Sequence, residues 1–102
     1  MILFDLAKAE LIRSNADRRH PFRYLSLATH GDYPELRTVV KRKTTPELDT
    51  VIFTDARSPK VEQIRKNNKV SILFYHPKKK LQVRINGEAL LIEEGHVDYE
   101  RY

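Results

Sequence analysis

Two hydroxyls and two cations fall within seven residues at Thr54, Arg57, Ser58 and Lys60. Such a donor set suits an anion, and a phosphate in particular, because hydrogen bonds to an ionised acceptor are the strong ones. The neighbouring residues predict what would hold it. Val51-Ile52-Phe53 is a short apolar run of the kind that forms a strand buried on both faces. Ser58 is a good N-cap, and Pro59 suits the first helical position, where its missing N–H has no intrahelical partner to lose. A helix over 58–67 then sets Val61 and Ile64 on one face and turns Lys60, Glu62, Gln63, Arg65 and Lys66 mostly outward, with Asn67-Asn68 ending it. Its unpaired N–H groups and positive dipole end point at the turn. Two readings stay open: an ordinary capped helix start, or an anion site.

A second group of cations lies on Leu36-Arg37-Thr38-Val39-Val40-Lys41-Arg42-Lys43, which the pattern predicts as one strand. Alternation at period two puts Arg37, Val39 and Lys41 on one face and Thr38, Val40 and Arg42 on the other. Mixed faces of this kind serve either an edge strand protected from aggregation or a strand whose guanidinium groups reach an anion. Further on, Leu81, Val83 and Ile85 alternate strictly with Gln82, Arg84 and Asn86. Two amides and a guanidinium on one face suit the hydrogen-bonding edge of a heteroaromatic ring. The four histidines, His20, His30, His76 and His96, show no metal-ligand spacing and read as surface or turn residues, so no metal is expected.

The elements that must position these residues follow from the same patterning. Residues 2–16 predict an amphipathic helix with Leu3, Leu6, Ala7 and Leu11 packed, broken by Asp17 to Pro21. Tyr24 to Thr29 alternates as a strand, and His30-Gly31-Asp32-Tyr33-Pro34 turns it into a hairpin with the cationic strand. A loop over 44–49, a strand over 50–54 and the helix follow. Val70 to Tyr75 is a further strand, and Lys78, Lys79 and Lys80 read as a solvated turn. Gly87 is placed for a bulge or a close backbone approach, Ala89 to Ile92 extends the last strand, and the tail from Glu93 is acidic and aromatic. Five or six strands, one leading helix and one intervening helix make a mainly β (α+β) domain, most economically a small antiparallel barrel.

Composition narrows the function. The length gives one domain over 1–102 with a modest core, for which help from a partner chain is expected. Without cysteine there are no disulfides, thiolate metal sites or cysteine nucleophiles. No secretory leader or membrane-length apolar run is visible, so a cytoplasmic location is expected. The net charge of +5 is uneven: residues 37–84 hold 13 Lys/Arg against 4 Asp/Glu, and the flanks 6 against 10. The basic middle suits an anionic partner, nucleic acid or a phosphorylated small molecule. No Gly-rich nucleotide fingerprint and no repeat is present.

The succession Arg37 to Arg42, then Phe53-Thr54 through Ser58-Pro59-Lys60, then Gln82 to Gly87 resembles the pyridoxamine 5′-phosphate oxidase family, the FMN-binding split barrels. The likeness runs from about Tyr24 to Ile92 and rests on three linked motifs. It implies a six-stranded antiparallel split β-barrel forming a homodimer, with FMN in two equivalent clefts between the subunits. Arg37 then resembles the arginine that reaches FMN, and the backbone of Thr38, Val39 and Val40 runs beside the flavin. Arg42 stands where the family often has a lysine near the substrate phosphate. Phe53 and Thr54 match the aromatic–threonine pair on the flavin side, and Ser58 and Lys60 the phosphate turn. Pro59 replaces an arginine that many family oxidases carry, so that contact is absent or comes from Arg57. Gln82, with Arg84 on its strand face, is directed at the isoalloxazine ring from the opposite subunit. Family oxidases continue well past the barrel, which makes this chain either a shortened relative or a fragment and leaves its substrate open.

Three functions fit these observations. The first is a flavin-dependent oxidoreductase, in which no side chain needs to be a general acid or base. The second is a flavin or phosphorylated-ligand module without turnover. The third is a small basic barrel for nucleic acid, favoured by the lysine turn and by Tyr33, Tyr75 and Tyr99. It stands last, because no aromatic pair is interleaved with cations on one strand face.

Overall fold

The computed structural model describes residues 2–92. Helix α1 (Ile2–Arg13) leads through a 3₁₀ turn (Pro21–Arg23) into β1 (Tyr24–His30), β2 (Pro34–Val40), β3 (Lys43–Thr44) and β4 (Thr50–Val51); α2 (Pro59–Lys66), β5 (Lys69–His76) and β6 (Leu81–Glu88) follow. Four strands form one antiparallel sheet in the order β2-β1-β5-β6, and β3 pairs with β4 in a second. The four-stranded sheet does not close on itself, as in a split barrel.

Its register sorts every side chain. Leu27 pairs with both Arg37 and Ile72, and Ile72 with Ile85, so these four form one row on one face. Ser26 pairs with Thr38 and Leu73, and Leu73 with Arg84, which makes a row on the other. The first face is covered: Leu25, Leu27, Ile72 and Phe74 are buried there with Leu11 of α1 and Phe22 of the 3₁₀ turn. Each such side chain contributes about 1.5–3 kcal/mol when fully buried. The second face is open, and Tyr24, Leu36, Val40 and Tyr75 are exposed on it.

Lys41 ties α1 to this body. Its side chain is only 5% exposed, and Nζ donates to Leu11 O at 3.0 Å, Ser14 Oγ at 2.5 Å and Thr44 Oγ1 at 2.9 Å. A cation at the C-terminal end of a helix is favoured by the dipole. Asn15 adds a reciprocal pair, donating to Thr44 O and accepting from Thr44 N–H, both at 2.8 Å.

The structure corrects several expectations. Helix α1 stops at Arg13, and Leu3 and Leu6, expected to pack, are exposed because only its C-terminal half meets the core. The strand expected over 36–43 splits after Val40. There Lys41 N–H donates to Arg23 O and Arg42 N–H to Val51 O, which hands the chain from one sheet to the other. The strand expected over 50–54 is two residues long, and Phe53 is 66% exposed, since no sheet faces it. β6 pairs without a bulge through Gly87 to Glu88, residues 89–92 have no regular structure, and a Cβ at Gly87 would meet nothing within 4 Å. The tail from Glu93, with His96 and Tyr99, lies outside the described residues. Among the described residues no helix is long and apolar enough to cross a membrane.

Candidate functional site

The predicted site residues fall into three places. Arg37 and Val39 lie on the covered face of β2, and α2 lies against the same side through buried Val61 and Ile64. Arg37 reaches α2: Nη1 donates to Thr29 Oγ1 at 2.7 Å and Leu27 O at 3.2 Å, and Nη2 donates to Gln63 Oε1 at 3.4 Å. Thr29 Oγ1 in turn donates to Gln63 Oε1 at 2.6 Å. A guanidinium is thereby held beside the helix that begins at Ser58-Pro59-Lys60.

Ser58 stands at the N-cap with extended backbone, yet its side chain makes no capping hydrogen bond; Oγ accepts from Lys60 Nζ at 3.2 Å instead. The cap is backbone-based, with Val61 N–H donating to Ser58 O at 3.1 Å. The hydroxyl and ammonium thus face one another at the helix start. Arg57, the expected substitute for the missing arginine, is 90% exposed and grips Asp55 through Nε at 3.2 Å and Nη2 at 3.1 Å. Asp55 also accepts from Arg57 N–H at 2.8 Å, which fixes the turn. Hydrogen bonds from the Arg57 side chain and backbone hold the Asp55 carboxyl below its ordinary range.

Arg42, Phe53 and Thr54 form a second place. The Arg42 guanidinium lies 5.6 Å from the centre of the Phe53 ring, within cation–π range. Phe53 and Thr54 are both exposed, just ahead of the Asp55–Ser58 turn.

The third place is the open face, which carries Thr38, Val40, Gln82 and Arg84, all exposed. A hollow of about 190 Å³ between Tyr24, Ser26, Thr38, Leu73 and Tyr75 marks its middle. A larger cleft of about 430 Å³ lies toward Ala28, His30, Ser71 and Asn86. Neither is lined by Ser58 or Lys60.

The sequence reading missed the partners of Arg37. Gln63, assigned outward, is half-buried in this network. One signal was present: Thr29 alternates in phase with Leu25 and Leu27, so its hydroxyl had to enter the covered face and find a polar partner. The histidine expectation is also corrected. His20 and His76 are buried, their rings 5.3 Å apart, and with Glu10 they form the one three-residue group of metal-ligand type among the described residues. Hydrogen bonding already occupies it. His20 Nδ1 accepts from Phe22 N–H at 3.0 Å, which leaves the proton on Nε2, donated to Glu10 Oε2 at 2.5 Å. Ligation through Nε2 would move that proton to Nδ1, against Phe22 N–H. Glu10 also takes Arg13 at 2.6 Å and Lys79, so the lysine turn is not wholly solvated. These cations and His20 hold the Glu10 carboxyl down at about 2 against the cost of burial, with Lys79 the largest cause.

Comparisons with known proteins give the family and the fold. Residues 6–93 match the family described as pyridoxamine 5′-phosphate oxidase, FMN-binding domain. Among solved structures, the chain is similar to a pyridoxamine 5′-phosphate oxidase-related, FMN-binding protein from Nostoc punctiforme PCC 73102. The TM-score is 0.77 at 29% identity, covering 95% of this chain and 52% of that one. It shares its fold with PhzG from Burkholderia lata 383, solved in complex with tetrahydrophenazine-1-carboxylic acid. There the TM-score is 0.73 at 24% identity, covering 90% of this chain and 46% of that one. The chain therefore spans about half the length of these solved relatives. No curated protein sequence matches it. With 88 consecutive residues matched, the split sheet in place and the three motifs set around α2 and the open face, the chain belongs to the pyridoxamine 5′-phosphate oxidase FMN-binding domain family.

Proposed function

We propose that the chain is a single FMN-binding domain that works as a homodimer and serves a flavin-dependent oxidoreductase. The observation that carries this reading is the attachment of Arg37 to α2 through Gln63, about one turn along the helix from Lys60, which puts a guanidinium and the Ser58–Lys60 pair on one element. These residues fit an anionic ligand: a hydroxyl and two cations of different reach, on rigid elements. Bound FMN supplies the redox chemistry. The chain's part is to anchor the phosphate with Ser58 and Lys60, to hold the ligand with Arg37, to offer Thr54 and the Phe53 ring on the flavin side, and to present the Gln82 amide and Arg84 to the ring edge. Arg42, over Phe53, is placed to meet an anionic substrate group.

The two faces of the sheet support the homodimer, given that Arg37 and Gln82 serve one ligand. Arg37 and Gln82 cannot touch one ligand from the same sheet, whereas a second copy against the open face would bring its own Gln82 to the first copy's cleft. The exposed Tyr24, Leu36, Val40 and Tyr75 on that face would be covered in the process. A soluble cytoplasmic location is part of the same reading.

An as-purified sample is expected to show the two flavin absorption bands and to release FMN on denaturation. Colourless protein that also fails to take up added FMN would refute the reading. The second reading is a flavin module without turnover. Photoreduced protein that is reoxidised by none of oxygen, quinones or a pyridine nucleotide would favour it.

A further inference from the structure

We propose that Gln63 is a positioning residue for Arg37, keeping the guanidinium extended toward α2 and free of a full ion pair with Glu35; this rests on the FMN reading above. The network is specific. Gln63 Oε1 accepts from both Thr29 Oγ1 and Arg37 Nη2, while Gln63 Nε2 donates to Glu35 Oε2. The carboxylate is thus engaged by an amide, and its approach to Arg37 Nη2 stays at 3.5 Å. An arginine held in this way loses little rotamer freedom when a ligand arrives, and its closer partners are neutral oxygens that leave its charge uncancelled.

The site is closely packed from the turn side as well. A Cβ at Gly31, in the β1–β2 turn, would stand 2.9 Å from Gln63 Nε2 and 3.2 Å from Glu35 Cδ. A side chain at Gly31 would therefore press on the ends of both the Gln63 and Glu35 side chains. Three segments converge on the amide: the end of β1 through Thr29, the hairpin turn through Gly31, and β2 through Glu35 and Arg37. Removing the amide would let Glu35 close on Arg37 and neutralise the guanidinium, in competition with the ligand.

The test is a set of FMN titrations of the apo-protein. Gln63→Leu is expected to weaken FMN about tenfold, the scale of one charge-assisted hydrogen bond. On an Arg37→Ala background it should add nothing, whereas with Gln82→Ala on the other face the two losses should multiply. Adding Glu35→Gln to Gln63→Leu should restore most of the affinity, which a merely structural role for Gln63 would not allow. Gly31→Ala removes no hydrogen-bonding group and should weaken FMN in the same direction, so it carries the test should Gln63→Leu fail to fold. Equal losses for Gln63→Leu on the wild-type and Arg37→Ala backgrounds, or wild-type affinity in a folded Gln63→Leu, overturn the proposal while leaving the FMN reading intact. A wild type that binds no FMN overturns that reading itself.

Discussion

Arg37 and Gln82 lie on opposite faces, and on opposite edge strands, of the same four-stranded sheet. Arg37 shares a row with Leu27, Ile72 and Ile85 beneath α2, and Gln82 stands opposite Tyr75 on the uncovered side. Three strand spacings, about 14 Å, separate β2 from β6 before the thickness of the sheet is counted. The two motifs most strongly marked in the sequence therefore serve one ligand only if they come from different chains.

That arrangement predicts complementation. In a homodimer with two equivalent clefts, an Arg37→Ala chain paired with a Gln82→Ala chain holds one cleft damaged twice and one intact. Refolding the two variants together at equal amounts should give heterodimers as about half of the dimers, and so return wild-type FMN affinity to about a quarter of the clefts. Each variant refolded alone should return none. Equal affinity in the mixed and unmixed samples would show that each cleft is built from one chain.

Lys60→Ala should weaken FMN by roughly 1.5–3 kcal/mol, the scale of a charge-assisted hydrogen bond to phosphate. The ammonium meets Ser58 Oγ at the start of α2. Riboflavin, which lacks the phosphate, should lose little. Isothermal titration with both ligands decides the matter, and a matching loss for the two would take the phosphate away from Lys60.

The three lysines after His76 are not equivalent. Lys79 reaches the buried Glu10 carboxylate, so Lys79→Ser should cost about 1–2 kcal/mol of stability at neutral pH, whereas Lys78→Ser should stay within about 0.5. The Glu10 carboxyl sits at about 2, below its ordinary 4.5. A lowered carboxyl contributes stability above its unfolded value, and that stability is lost as pH falls through the folded one. The difference between wild type and Lys79→Ser should therefore be full above about pH 5 and shrink toward pH 2. Urea unfolding across that range measures it; a difference that does not change with pH would remove Glu10 from the explanation.

Much of this was legible in the chain because alternation is strict where one face is buried. β1, β2 and β6 carry period-two patterns, and the structure keeps their groupings, with Arg37 and Val39 on one face of β2 and Thr38 and Val40 on the other. What the pattern could not carry was depth. Lys41 reads as one cation of a mixed strand face, yet two oxygens at the end of α1 and one from β3 take it inside. His20 and His76 meet through segments more than fifty residues apart in sequence, which no spacing rule reports. Phe53 reads as core from its type, and its exposure follows from how short its sheet is. Gln63 was misplaced because helical periodicity marks the buried stripe of α2 but not the polar residue at its margin.

Lys41 gives a prediction that needs no ligand. Burial lowers its ammonium from 10.5 to about 8, and its three hydrogen-bond partners are a carbonyl and two hydroxyls, not a carboxylate. Below pH 8 the folded and unfolded chains both hold this proton, and the fold bears the full cost of an enclosed charge. Between about pH 8 and 10.5 the unfolded chain holds more of it, so stability rises with pH through this group. Other titrations in the same range are shared with a Lys41→Met variant and cancel in the comparison. Wild type should therefore gain on Lys41→Met by no more than about 3 kcal/mol between pH 7 and pH 10, a bound set by the size of the shift. The neutral amine has one donor fewer for Leu11 O, Ser14 Oγ and Thr44 Oγ1, which trims that figure without changing its sign. Paired urea denaturation curves at the two pH values test this, and a wild-type advantage that falls as pH rises would contradict the account of Lys41 as a buried, unpaired cation.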